Sequence, residues 1–345
     1  MTHFLNKVIL GTSVLVSFSA TQAFADETLT IENFIGTINV QTAGGDTLRV
    51  TESRNDKSLD VSARSGSMKI DGNIDKPNGD DCEGYYGRYN ISVFSKKEKS
   101  GQFGGYKDLE SYPVLTISAP DDLNLIIKNS IPFITLGDMG SLDASLKSCG
   151  ELNTGNLSGN ARLSIKGSAD ANFGDIQDLD LMIKGSGDVD AGNAGNIKID
   201  LTGSGDVELG DIKSADIRSV GSGDVEIRDM SGPLRYISRG SGDFDANDVS
   251  GDLVYNGRGS GDFSVKSVTG NMSIQSRGSS RVEIDGGTVQ KLIITAAGSG
   301  DVRFEGTAEN AELFASGSSD IYVERVTGQV SKRETGSAEV KISNR

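Results

Sequence analysis

The chain has 345 residues, and 49 acidic against 34 basic side chains give a formal net charge of −15. A surface this acidic repels nucleic acid and anionic lipid, which excludes both as expected partners. There is one histidine and there is no tryptophan.

The first 25 residues read as a secretory signal peptide. Lys7 supplies the positive start, Val8 to Ser19 the apolar stretch, and Ala23-Phe24-Ala25 a small-x-small cleavage site. Cleavage after Ala25 predicts a periplasmic, secreted or cell-surface protein. No later run is long and apolar enough to span a bilayer. His3, the only histidine, leaves with the leader. The mature chain then has no Ser-His-Asp triad, Cys-His pair or histidine-ligated metal centre. No catalytic residue is expected.

Residues 26–122 form an N-terminal β region. Short strand candidates lie at Leu29–Glu32, Thr37–Val40, Thr47–Thr51, Ser58–Ala63 and Ser67–Ile70, separated by Gly, Asn and Asp. At about 71–112 the composition turns to Gly, Lys and Tyr, which reads as a long insertion around one strand, Tyr89–Phe94. Tyr85, Tyr86 and Tyr89 make it a candidate ligand segment. Cys82 also lies there. It and Cys149 either form a disulfide in an oxidising compartment or remain two free thiols.

Residues 123–345 carry a repeat. Gly-Ser-Gly-Asp stands intact at Gly185–Asp188, Gly203–Asp206, Gly221–Asp224, Gly240–Asp243, Gly259–Asp262 and Gly298–Asp301. Degenerate copies begin at Gly167, Gly278, Gly317 and Gly336, and two earlier ones, at Asn129 and Ser148, are recognisable by register. The interval is 18 to 20 residues. A fixed period with alternating apolar residues between turn residues means stacked β coils, about twelve of them. Val189, Val207, Val225, Phe244 and Phe263 begin one inward column, with Phe133 in the equivalent place in the first coil. Leu181, Ile199, Ile217, Tyr236 and Tyr255 form another, just before the turn.

The tetrapeptide has a backbone rationale. Its glycines allow positive φ, and Ser and Asp side chains accept N–H groups that no ladder serves. The competing reading is a cation row on Asp188, Asp206, Asp224, Asp243 and Asp262. Calcium takes such oxygen ligands, but the spacing differs from the nine-residue calcium β-roll. No cofactor is therefore expected, with calcium as the alternative. Arg239, Arg258 and Arg277 precede three successive turns and form a second candidate ligand face.

The recurring Gly-Ser-Gly-Asp-Val/Phe coil resembles the head GIN domain family of putative autotransporter adhesins. The lead-in Val114-Leu-Thr-Ile-Ser-Ala-Pro-Asp-Asp-Leu-Asn-Leu125 shares that likeness. The resemblance implies an all-β, right-handed parallel β-helix in an exported bacterial protein, and it transfers no catalytic residue. The expected function is non-enzymatic, an adhesin-like, binding or structural role in the bacterial envelope with an envelope, glycan or protein ligand. A polysaccharide-active enzyme using paired carboxylates such as Asp243 and Asp262 is one alternative. A calcium-stabilised structural protein is the other. Lys332-Arg333-Glu334 puts charge where earlier coils place apolar residues, which blunts the last edge and predicts a monomer or small oligomer.

Overall fold

The computed structural model describes residues 27–42, 47–74, 82–85, 88–91 and 107–344. For 82–85, 88–91, 107, 108 and 110 only the backbone is described. The proposed leader, Tyr86 and the side chains of Cys82, Tyr85 and Tyr89 lie outside the described residues. The fold is an all-β parallel solenoid of about twelve turns. Among the described residues the one helical segment is a 3-10 turn, Leu109–Ser111. The chain divides into two compact units, to Gln177 and from Asp178.

The first unit holds β1 (Thr28–Glu32), β2 (Ile35–Gln41), β3 (Arg49–Arg54), β4 (Asp60–Arg64) and β5 (Ser67–Asp71). It continues with β6 (Cys82–Tyr85), β7 (Arg88–Ile91), β8 (Lys107–Asp108) and β9 (Val114–Ser118). Then come β10 (Asn124–Leu136), β11 (Ser141–Ser148), β12 (Glu151–Asn153), β13 (Ala161–Gly167) and β14 (Asp170–Phe173). The strands β6, β7 and β8 form a small antiparallel sheet of their own.

The N-terminal strands are coils of the solenoid. One side runs β5-β1-β10-β11-β13 and another β9-β2-β10-β12-β14, all parallel. The coil β1–β2 therefore lies between the later β5/β9 coil and β10. Antiparallel β4 on β5 and β3 on β9 flank that stack. The corner between β1 and β2 is Asn33 at φ 50°, and the next coil turns at Asn129, also φ 50°. Asn can occupy this left-handed region because its short amide bonds locally. Here Asn129 Nδ2 donates to Asn33 Oδ1 at 2.8 Å.

One inward assignment shifts. A bulge between Ile127 and Ser130 changes the register by one residue, so Ile134, not Phe133, pairs with Leu152. A single-residue slip reverses which face a side chain takes. Phe133 therefore packs in an outer cluster with Ile35, Tyr112, Ile131 and Cys149, while Ile134 is buried in the coil.

In the second unit each coil has three sides. After the corner comes a short strand such as Val207–Leu209 or Val225–Ile227. A middle side contributes one inward residue per coil, in the column Ala194, Ile212, Met230, Val249 and Val268. The third side is the long strand leading into the next corner, such as Leu234–Gly240 or Leu253–Gly259. The inward columns read from the alternation are buried: Val189, Val207, Val225, Phe244 and Phe263 are each at most 1% exposed. Burying such a column stabilises by roughly 1.5–3 kcal/mol per large apolar side chain.

Candidate functional site

The corner is built first from its leading glycine. Gly221 has φ 140°, and a Cβ there would lie 1.9 Å from the Gly203 carbonyl oxygen of the coil before. Both the dihedral and the contact demand glycine. The serine contributes through its main chain: Ser222 N–H donates to Gly203 O at 2.8 Å and Ser241 N–H to Gly221 O at 2.8 Å. The expected role for the serine hydroxyl is not what the intact corners use.

The aspartates form a ladder. Asp206 N–H donates to Asp188 Oδ1 at 2.9 Å, Asp224 N–H to Asp206 at 2.8 Å and Asp243 N–H to Asp224 at 2.7 Å. Asp262 N–H then donates to Asp243 at 2.7 Å and Arg281 N–H to Asp262 at 2.8 Å. A second ladder restarts from Asp301 through Asp320 to Glu339. Each carboxylate thus serves the main chain of the next coil, where the sheet ladder leaves an N–H without a strand partner. Among the described residues no group of three or more His, Cys, Asp or Glu is placed to hold a metal ion.

Charge is segregated across this corner. Beyond it, Asp190, Glu208, Glu226 and Asp245 stack in register on the outside of the short strands. Partial burial raises the Asp245 pKa, a Ser264 hydrogen bond opposes that, and repulsion from Asp243, Glu226 and Asp224 adds to it. Before the corner, Arg239, Arg258 and Arg277 stack in register on the outside of the long strands. All three are exposed. Arg277 Nη1 donates to Gln275 Oε1 at 3.1 Å, and Asn256 Nδ2 donates to the same oxygen at 2.9 Å. None of the three arginines has an ion-pair partner among the described residues.

Under these strands the core becomes aromatic. Tyr255 and Phe263 lie 4.2 Å apart by centroids, Phe244 and Phe263 4.9 Å, and Tyr236 and Phe244 4.7 Å. The column beside the tyrosines is small and polar in compensation: Ser219, Ser238, Gly257 and Ser276. The Tyr236 hydroxyl is buried without a hydrogen-bond partner, although Ser219 and Ser238 face it. Burial pushes the Tyr255 hydroxyl up to about 12.

Sequence reasoning placed the aspartate and arginine rows but missed Arg218, Arg235, Asn256 and Gln275 on the arginine side. Counting back two or four positions from each arginine column would have found them. Near the insertion, Cys149 is buried in the outer cluster and is disulfide-bonded. The one other cysteine in the sequence is Cys82.

A stack of coils whose corner carboxylates accept main-chain N–H groups, with Arg239, Arg258 and Arg277 in register on one outer side, defines a β-solenoid protein. The chain belongs to the family described as putative auto-transporter adhesin, head GIN domain, whose model matches residues 135–246 and 254–345. No curated protein and no solved structure matches it. Among the described residues no helix is long and apolar enough to cross a membrane.

Proposed function

We propose that this is an exported, non-enzymatic binding protein of the bacterial envelope, adhesin-like, which engages an envelope, glycan or protein ligand through the outer sides of its coils. The carrying observation is the row Arg239, Arg258 and Arg277, exposed and without counter-ions. The family description points the same way. The aspartates that an enzymatic or calcium reading would use already accept main-chain N–H groups. In this reading the protein works after cleavage following Ala25, as a monomer or small oligomer. Cys82 and Cys149 join the insertion to the solenoid, which an unreduced peptide map containing that linked pair checks.

Labelled, purified protein should bind isolated bacterial envelopes saturably and reversibly, releasing no reducing ends from their polysaccharides. Non-saturable retention, or steady release of reducing ends, would sink the reading.

A further inference from the structure

Four neighbouring long strands of the second unit present a grid of twelve outward positions. Asp216, Arg235, Val254 and Ser273 form one row, Arg218, Ile237, Asn256 and Gln275 the next, and Val220, Arg239, Arg258 and Arg277 the third. The residues that alternate with them, including Ile217, Tyr236, Tyr255 and Ile274, are buried, so all twelve share one face. Five arginines meet a single carboxylate on it, and that one, Asp216, pairs with Arg235 at 3.2 Å. In a chain of net charge −15 this is a local reversal of sign.

We propose that this face binds a linear acidic polysaccharide, laid across the strands with its carboxylates on Arg239, Arg258 and Arg277. The proposal rests on the reading of the protein as a binding protein and names its ligand class. Adjacent strands lie about 4.8 Å apart, so the row offers one cation per strand at a constant interval. A linear polyuronate carries one carboxylate on every sugar unit, and the long arginine side chains can follow carboxylates that turn about its axis. Each guanidinium presents a planar fork that matches a carboxylate in two-point contact. The amides of Asn256 and Gln275 lie in the adjacent row, within the reach of sugar hydroxyls. Val220, Ile237 and Val254 supply apolar contact for ring faces, and Val254 is 42% exposed.

Other polyanions fit less well. An extended acidic peptide brings main-chain N–H and C=O groups of its own, and the strands of this face are already paired with one another and leave them no ladder to join. Single-stranded nucleic acid needs aromatic platforms for its bases, and none of the twelve positions is aromatic. The face is also held rigid, because the Tyr236, Phe244, Tyr255 and Phe263 stack fills the coils behind it.

The test is calorimetric titration with polygalacturonate fragments, with neutral dextran in parallel. The variants are Arg239→Gln/Arg258→Gln/Arg277→Gln and, on another side of the coil, Lys213→Gln. Wild type should bind polygalacturonate and not dextran, with affinity falling as salt rises. Each arginine should account for about tenfold in affinity, so the triple variant loses about a thousandfold while Lys213→Gln is unchanged. Circular dichroism establishes that the triple variant is folded. Retained affinity in that folded variant overturns the proposal. So do equal binding of dextran, absence of polygalacturonate binding by wild type, and its displacement by oligothymidylate. If wild type still binds envelopes saturably in any of those cases, the face or ligand is wrong and the binding reading stands. If envelopes are not bound at all, the binding reading itself has failed.

Discussion

The Tyr255 hydroxyl occupies the space that a side chain at Gly257 would need. A Cβ on Gly257 would lie 2.0 Å from the Tyr255 oxygen and 2.4 Å from Cζ. The two positions are on one strand, two residues apart and both inward, so the large residue requires the absent one. Gly257→Ala should therefore cost about 3 kcal/mol through overpacking. Adding Tyr255→Ile, the residue type that the next coil carries at Ile274, should recover most of that loss. Denaturant melts of both singles and the double measure the coupling, and additive losses would refute the stated contact.

The same tyrosine sets a high-pH response. Burial raises the Tyr255 pKa from an ordinary 10 to about 12. Between those values the unfolded chain ionises before the folded one does. Stability should therefore fall as pH rises from 10 towards 12, with no effect below 10. In an absorbance titration of the folded protein, Tyr255 should ionise above the ordinary tyrosine range, as should Tyr236 and Tyr112, which burial also raises. A delayed phase smaller in Tyr255→Phe than in wild type identifies its share, and an unchanged delayed phase would refute the assignment.

Asp224 accepts from Asp243 N–H at 2.7 Å, while its own N–H donates to Asp206 at 2.8 Å. Asp224→Asn keeps an acceptor oxygen and should cost little. Asp224→Ala strands an N–H and should cost about 1–2 kcal/mol. If the ladder is a main-chain device, this difference persists in chelator and in added calcium alike. A gap between the two variants that opens only with calcium would favour the cation reading.

Lys332 and Glu334 hold the final coil by polar contacts. They stand in register with the buried Leu313 and Ala315 of the coil before. Glu334 Oε1 accepts from Val340 N–H at 2.8 Å, and Lys332 Nζ lies 3.4 Å from that same oxygen. This main-chain bond, with help from Lys332, keeps the Glu334 carboxyl below its usual range despite an opposing desolvation effect. Lys332→Leu/Glu334→Ala restores the inward pattern of earlier coils and leaves an apolar open edge. Size-exclusion chromatography should then show concentration-dependent oligomers. A variant that stays as monodisperse as wild type contradicts a capping role.

Much of the fold was legible because the repeat is tandem. Val225 and Phe244 stack in space as they align in sequence, so period alone assigned the columns and corners. The same reasoning failed at Phe133, where the bulge between Ile127 and Ser130 leaves no residue pattern of its own. The middle side was missed because one inward residue per coil, such as Ile212 or Met230, gives no alternation to detect. The N-terminal coils were read as a separate β region because their partners are distant in sequence. A signal was nevertheless present: Ile31-Glu32-Asn33 and Ile127-Lys128-Asn129 share Ile-x-Asn before the turn, and these two corners sit side by side. The arginine row was visible as residue types. Its lack of counter-ions was not, since a pattern of residue types does not say which charges meet.

The placing of β1 and β2 between strands that come later in the chain governs the order of assembly. A tandem array can add each coil as it emerges, docking it on a finished neighbour. The first coil here cannot. It has no completed surface on one side until β9 has followed β5, and none on the other until β10 has been delivered, roughly a hundred residues after β1. Such long-range closure is slow and leaves apolar strands exposed in the interval. A chain threaded across a membrane from its N-terminus would hold Leu29, Ile31 and Ile38 open on their β10 side until Leu136 had crossed, so this coil would close late.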